Sequence, residues 1–92
     1  MAIGVYVPIP SMSAAQYDDG VRRLEEAGQG APAGRLYHVA FSAGPDNLHV
    51  FDVWDSQESF DAFGQTMMPI MTDLGVDPGE PQIAEVHSII QG

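Results

Sequence analysis

Residues 46–63, DNLHVFDVWDSQESFDAF, constrain the fold more than any other part of the sequence. Residues 49–54 are rich in β-branched and aromatic side chains, which is typical of a strand. The Asp-Ser pair at 55–56 offers two N-cap residues, and Glu58 lies in the capping-box position of the first. Two phenylalanines follow at helical spacing. The stretch therefore predicts a strand that runs directly into a capped helix.

The rest of the chain predicts three further strands and one further helix. The strands are expected at 2–8 (ended by Pro8 and Pro10), 35–42 and 83–90. Turn-forming residues at 43–47 predict a hairpin between the second and third strands. Ser13 and Gln16 form a capping box at the start of the first helix, and Gly28 is expected to end it. The resulting order is βαββαβ within one domain, residues 1–92.

The second helix carries an apolar side and one proline. Pro69 cannot donate a backbone hydrogen bond, so we expect it to kink or split the helix near Met68. Gly75 is expected to end the helix. The apolar side consists of Phe60, Phe63, Met67, Ile70, Met71 and Leu74.

Composition excludes several classes of function. The chain has 13 acidic and 3 basic residues and no lysine, which disfavours binding to nucleic acid and to anionic membranes. It has no cysteine, so disulfides, thiolate metal sites and cysteine nucleophiles are excluded. No apolar run approaches the ~20 residues of a membrane span. The N-terminus has no basic region or cleavage site, and we therefore expect a cytoplasmic protein.

The apolar pattern predicts a homodimer. Two helices cover only one face of a four-stranded sheet, yet all four predicted strands carry apolar residues on both faces. The other face therefore needs a partner, and a second copy of the chain is the simplest one.

Three polar side chains within apolar strands are candidates for chemistry. His38 and His87 each lie among aliphatic or aromatic residues, and a buried histidine needs hydrogen-bond partners. Each is either a structural histidine or a general base. Asp52 lies mid-strand on the face of Trp54, where it is expected to pair with Arg35, orient a histidine or face solvent. The three histidines match no compact metal motif, so we predict no metal site.

A second group of residues is expected to pack in the core or, as the alternative, to line a hydrophobic cavity that accepts a flat aromatic ligand. Tyrosine hydroxyls are expected to contribute polar contacts to this pocket. The group comprises Trp54, Tyr6, Tyr37, Phe63, Met67 and Met71.

The stretch HVFDVWDSQESFDAF, together with the order of elements, resembles the dimeric α+β barrel superfamily, close to the antibiotic-biosynthesis-monooxygenase-like proteins. The resemblance implies a ferredoxin-like fold with an antiparallel sheet in order 4-1-3-2, two copies of which form a barrel. It also implies small-molecule chemistry, including cofactor-independent oxidation of phenols and haem degradation. The haem-ligating histidine of the family corresponds here to Gly64, and the asparagine of its quinone-forming oxygenases corresponds to Val50.

The leading hypothesis is thus an enzyme that acts on an apolar or aromatic small molecule without metal or cofactor. In it, His38 or His87 moves a proton, Asp52 orients the histidine and Trp54 lines the pocket. The alternative is a non-catalytic ligand-binding or regulatory dimer. An ACT-like effector domain shares the order of elements but usually accompanies a catalytic domain.

Overall fold

The computed structural model describes residues 2–10, 12–77, 79–90 and 92. Its elements are β1 (Ile3–Pro10), α1 (Ala14–Glu26), β2 (Arg35–Ser42), β3 (Asn47–Trp54), α2 (Gln57–Leu74) and β4 (Gln82–Glu85). The strands form one antiparallel sheet in the order β2-β3-β1-β4. Read from the other edge this is 4-1-3-2, which confirms the predicted ferredoxin-like βαββαβ fold.

The helix termini follow the local sequence. Ser13 caps α1 and forms the predicted capping box with Gln16. Ser56, rather than Asp55, is the N-cap of α2, because its hydroxyl accepts from the backbone N–H of Ser59. Gly75 ends α2 in the left-handed conformation, with φ of 71°, which costs a glycine no Cβ clash.

The predicted split of α2 at Pro69 is wrong. The helix is continuous from Gln57 to Leu74 and contains Pro69 in its interior. Proline removes the hydrogen bond to the carbonyl four residues earlier, which belongs to Gln65. Both residues are exposed, so water can hydrate that carbonyl, while the opposite side of the helix stays packed on the sheet.

The prediction of a strand over 83–90 is wrong for residues 86–90. β4 ends at Glu85, which pairs with Ile3, the first residue of β1. Because the two strands are antiparallel, the chain beyond Glu85 passes the end of β1; one further bond joins the Val86 N–H to the Ala2 carbonyl. Residues 86–90 (VHSII) have high strand propensity, but within the described chain they have no neighbouring strand with which to pair.

β1 continues to Pro10, beyond the predicted end at Pro8. Its pairing with β4 stops at Tyr6, so the later residues have β3 on one side and no described strand on the other. An edge of this kind tolerates prolines, which cannot donate to a ladder.

Both helices pack on one face of the sheet. Two adjoining clusters form the core there, one around Val5, Trp54 and Phe63, the other around Leu48, Val50 and Met71. The opposite face, called here the open face, carries Tyr37, Val39, Phe41 and Phe51, all 38–52% exposed. Among the described helices, none has the length and hydropathy needed to cross a membrane.

Candidate functional site

The hairpin of β2 and β3 sets His38 directly opposite Asp52. Alternation along β3 turns Asp52 and Trp54 toward the helices, since both pair with β1 residues of the core, Val5 and Ile3. Three hydrogen bonds then connect four side chains in series: Tyr17 Oη to His38 Nε2 (2.6 Å), His38 Nδ1 to Asp52 Oδ1 (2.5 Å) and Trp54 Nε1 to Asp52 Oδ2 (3.3 Å). We call these four residues the Tyr17–Trp54 series.

The chemistry of the partners fixes the direction of each bond. A carboxylate only accepts, so His38 Nδ1 carries a hydrogen and donates to Asp52. In the neutral ring Nε2 is then an acceptor, which makes the Tyr17 hydroxyl the donor. Both oxygens of Asp52 are used, because the indole N–H of Trp54 donates to the second. The hydrogen bonds therefore run in one direction, in which Tyr17 donates to His38 and His38 donates to the carboxylate of Asp52.

Burial increases along the series. Trp54 is 0% exposed and Asp52 is 7% exposed, whereas the His38 side chain retains 23% exposure. Charge-assisted bonds of this kind compensate for removing a carboxylate from water. In the described part of the chain, no buried side-chain nitrogen or oxygen lacks a partner. Tyr17 and His38 form the end of the series that solvent can reach.

Burial raises the pKa of the Tyr17 phenol above its ordinary value. The nearby positive charge of Arg35 opposes this shift, and the negative charges of Asp52 and Asp18 add to it. Tyr17 is therefore held as a neutral phenol, consistent with its role as donor to His38. The two aromatic rings are also nearly parallel, 2° apart, with centroids 6.0 Å apart.

Arg35 supplies a positive charge beside this site. Its guanidinium donates to the Gly30 carbonyl (3.1 Å) and lies over the Phe63 ring, 5.8 Å from the centroid. The other two arginines, Arg22 and Arg23, are bound to carboxylates on and near α1. Within the described residues, Arg35 has no carboxylate within ion-pair distance, although the chain carries 13 acidic residues.

The residues expected to pack in the core or line a cavity divide between the two faces. Trp54, Phe63 and Met71 are buried between sheet and helices, and Met67 packs against both core clusters. Trp54 exposes no surface, and instead of lining a cavity it donates to Asp52. That these side chains contact a ligand stays a prediction; their packing is that of core residues.

Tyr6 and Tyr37 lie on the open face. The Tyr6 hydroxyl bonds to Nδ1 of His49 (2.6 Å), whose ring also stacks on Phe41. These rings half-bury His49. Tyr37 is 38% exposed there.

His87 differs most from its sequence-based placement. It was expected inside an apolar strand, but it follows the end of β4 and is exposed. It borders a concave space of about 700 Å³ on the open face, together with Tyr6, Phe51 and Ala84. The structure thus brings together His38, Asp52 and Trp54, and sets His87 apart from them.

Sequence reasoning missed Tyr17 and undervalued Arg35. Tyr17 lies on the side of α1 that faces the sheet and packs on the cluster that contains Met12. Its hydroxyl also reaches across to β2. The signal in the sequence is a tyrosine, with its polar hydroxyl, on the core-facing side of a helix. Its hydrogen-bond partner depends on how α1 lies on the sheet.

No family model and no curated protein sequence matches the chain. Solved structures, by contrast, do match it. An antibiotic-biosynthesis-monooxygenase-type protein from Chloroflexus aurantiacus has 16% sequence identity and a TM-score of 0.70, over 99% of this chain and 98% of that one. The chain has the fold of the antibiotic-biosynthesis-monooxygenase-like proteins. SnoaB, a cofactor-independent oxygenase from Streptomyces nogalater, shares this fold at 16% identity and a TM-score of 0.67, over 99% and 97% of the two chains.

The structure also gives the surroundings of the two positions at which the resemblance implied a difference from the family. Val50, expected from the resemblance to replace a polar asparagine, is a buried core residue. Gly64, expected to replace a haem ligand, lies on α2, which contains no histidine. The Tyr17–Trp54 series supplies a connected set of polar groups on the helix side of the sheet.

Proposed function

We propose that this protein is a small-molecule enzyme of the monooxygenase-like type that removes a proton from an apolar or aromatic substrate without a cofactor. The observation that carries the proposal is the hydrogen-bonded Tyr17–Trp54 series. Asp52 holds His38 in one tautomer, and the His38 Nε2 lone pair becomes the acceptor for the proton. Proton transfer by a positioned group of this kind contributes about 10²–10⁴-fold to a rate.

The oxidation itself needs only molecular oxygen as co-reactant. Once its activating proton is gone, a phenol or carbonyl-activated CH₂ group is electron-rich enough to react with O₂, giving a quinone and water. The protein then has to bind, deprotonate and exclude bulk water. The cofactor-independent oxygenase that shares this fold supports the choice of reaction class.

The test is oxygen consumption by the purified full chain with hydroxylated polycyclic aromatics, after treatment with a chelator. The wild type should consume O₂, and His38→Gln should lower the rate by about 10²–10⁴-fold. His49→Gln, with its oligomeric state checked against the wild type by native mass spectrometry, is the matched control, because it removes a tyrosine–histidine bond of the same length, 2.6 Å, outside the Tyr17–Trp54 series. Equal loss in both variants would contradict a catalytic role for His38.

We further propose that the active form is a homodimer joined through the open face. Outward-facing positions of all four strands carry no Asp, Glu, Lys or Arg, although the chain has 13 acidic residues. Uncharged surface with several large apolar side chains is typical of an interface core. These positions are Gly4, Tyr6, Pro8, Pro10, Tyr37, Val39, Phe41, Asn47, His49, Phe51, Val53, Gln82 and Ala84.

Native mass spectrometry tests the dimer directly. Phe41→Asp places a charge within the open face and should give a monomer. Gln65→Asp makes the same charge change on the exposed side of α2 and should leave the dimer intact. A wild-type monomer would contradict the proposal. The cytoplasmic location stays a prediction.

The second candidate is a non-catalytic ligand-binding dimer. The concave space beside Tyr6, Phe51 and His87, which is open to solvent, is the observation that favours it. In that case a co-purified molecule should be released on denaturation, and its binding should be insensitive to His38→Gln.

A further inference from the structure

Both ring nitrogens of His38 are occupied. Nδ1 is bonded to Asp52 at 2.5 Å and Nε2 to the Tyr17 hydroxyl at 2.6 Å. A substrate that approached His38 directly would have to displace Tyr17 from a short hydrogen bond. Tyr17 is partly exposed, and in the contacts of the described residues its oxygen still has a lone pair to offer.

We propose that Tyr17, rather than His38, exchanges the proton with the substrate, and that Arg35 binds the substrate anion that results. This inference rests on the proposed function and identifies the residue that touches the substrate. His38 and Asp52 then act through Tyr17, as relay and as positioning residue. The substrate class is a flat organic acid, a phenol or an enol, that is neutral on entry and anionic after proton transfer.

The proton balance closes within the series. The substrate O–H or activated C–H gives its proton to the Tyr17 oxygen, while the Tyr17 hydrogen passes to His38 Nε2. Tyr17 is again a neutral phenol, His38 is an imidazolium and the substrate is an anion. Asp52 accepts from Nδ1 throughout and stabilises the imidazolium charge. No free tyrosinate forms, which agrees with burial that favours the neutral phenol.

Arg35 explains how the anion is tolerated in so acidic a protein. The guanidinium acts electrostatically on the Tyr17 oxygen, where it counters the negative charges of Asp52 and Asp18. With no described carboxylate bound to it, Arg35 has donors left for an oxyanion. Its guanidinium also lies over the buried Phe63 ring, 5.8 Å from the centroid, a contact that helps to hold the positive charge in place.

The experiment uses 4-nitrophenol as the probe with the full-length protein. Nitrophenolate absorbance reports ionisation of the bound probe, and ¹⁵N NMR of the histidine rings reports the protonation of His38. In the wild type, binding should produce nitrophenolate together with a doubly protonated His38. Tyr17→Phe keeps the ring and its packing, and should bind the probe while His38 remains neutral.

Two further variants separate the steps. Arg35→Gln should weaken binding of the anion while leaving the Tyr17–His38 bond visible in the NMR spectrum. Gln65→Asp, on the exposed side of α2, is the control and should behave as the wild type. Thermal melting checks that each variant is folded; if Tyr17→Phe unfolds, Tyr17→Met, which also lacks the hydroxyl, replaces it.

Each remaining outcome contradicts a defined part of the proposal. If His38 still becomes protonated in Tyr17→Phe, His38 meets the substrate itself; the assignment of Tyr17 fails and the proposed function stands. If the wild type does not ionise the probe, the substrate class is wrong. If His38→Gln also leaves oxygen consumption unchanged, the proposed function fails independently.

Discussion

Replacement of Asp52 by Asn tests the polarity of the Tyr17–Trp54 series. The amide is isosteric with the carboxylate, but one of its two positions is now a donor. Its oxygen must face the indole N–H of Trp54, which can only donate, so its NH₂ faces His38 Nδ1. The ring responds by moving its hydrogen to Nε2. The His38–Tyr17 bond then reverses, with Tyr17 as acceptor.

The cost in stability is small. Hydrogen bonds to a charged group contribute about 1.5–3 kcal/mol and neutral ones about 0.5–1.5 kcal/mol. Two such bonds become neutral in Asp52→Asn, but the buried carboxylate and its desolvation cost also disappear, which leaves a net loss of about 0–2 kcal/mol. The free energy of unfolding of the whole domain is expected to be about 5–14 kcal/mol. The variant should therefore fold.

The effect on proton transfer is large, because His38 no longer presents a lone pair to Tyr17. In Ser-His-Asp triads the same substitution, which also imposes the wrong tautomer, lowers turnover by about 10⁴-fold. Long-range ¹H–¹⁵N correlation spectra should show Nδ1–H in the wild type and Nε2–H in the variant, and urea unfolding should give the free-energy difference. A wild-type ring that already carries its hydrogen on Nε2 would refute the reasoning.

Three further predictions follow from burial and backbone geometry. Because the folded state raises the Tyr17 pKa, wild-type stability should fall as pH rises above 10.0, and urea unfolding of Tyr17→Phe should show a shallower fall. Trp54→Ala removes a side chain that is 0% exposed and should cost about 3–5 kcal/mol in unfolding free energy; a loss under about 1 kcal/mol would contradict the packing. Gly79→Ala should destabilise by at least about 1–2 kcal/mol, since φ is 70° and its Cβ would lie 2.5 Å from the Pro8 carbonyl oxygen. Gly64→Ala, whose Cβ meets nothing within 4 Å, should raise the melting temperature and serves as control.

The fold could be predicted wherever the deciding interactions are local. Ser13, Gly28 and Gly75 mark helix ends through bonds to their own neighbours, and those predictions are confirmed. The hairpin turn is also local, and it fixes the register that places His38 opposite Asp52. His38 and Asp52 could therefore be predicted as site residues, because each is a polar residue within an otherwise apolar strand.

Interactions between distant segments could not be predicted. The end of β4 depends on where β1 begins, 82 residues earlier than Glu85 in sequence, and not on the strand propensity of residues 86–90. The continuity of α2 depends on which side of the helix faces water at Pro69. Tyr17 meets His38 only because α1 lies across the sheet. In the sequence, Tyr17 is one of several apolar or aromatic residues on the core-facing side of α1, and nothing there indicates its bond to His38.

The sheet carries two tyrosine–histidine pairs, one on each face, and the contrast between them supports the choice of site. Tyr6 bonds to His49 and Tyr17 to His38, each at 2.6 Å. Among the described contacts, only the His38 ring reaches a carboxylate with its other nitrogen. His38 alone is therefore held in one tautomer, backed by a negative charge that stabilises its protonated form. This contrast favours the helix side of the sheet for the proposed proton transfer, whereas the open face, with its uncharged strands, is suited to a second copy of the chain.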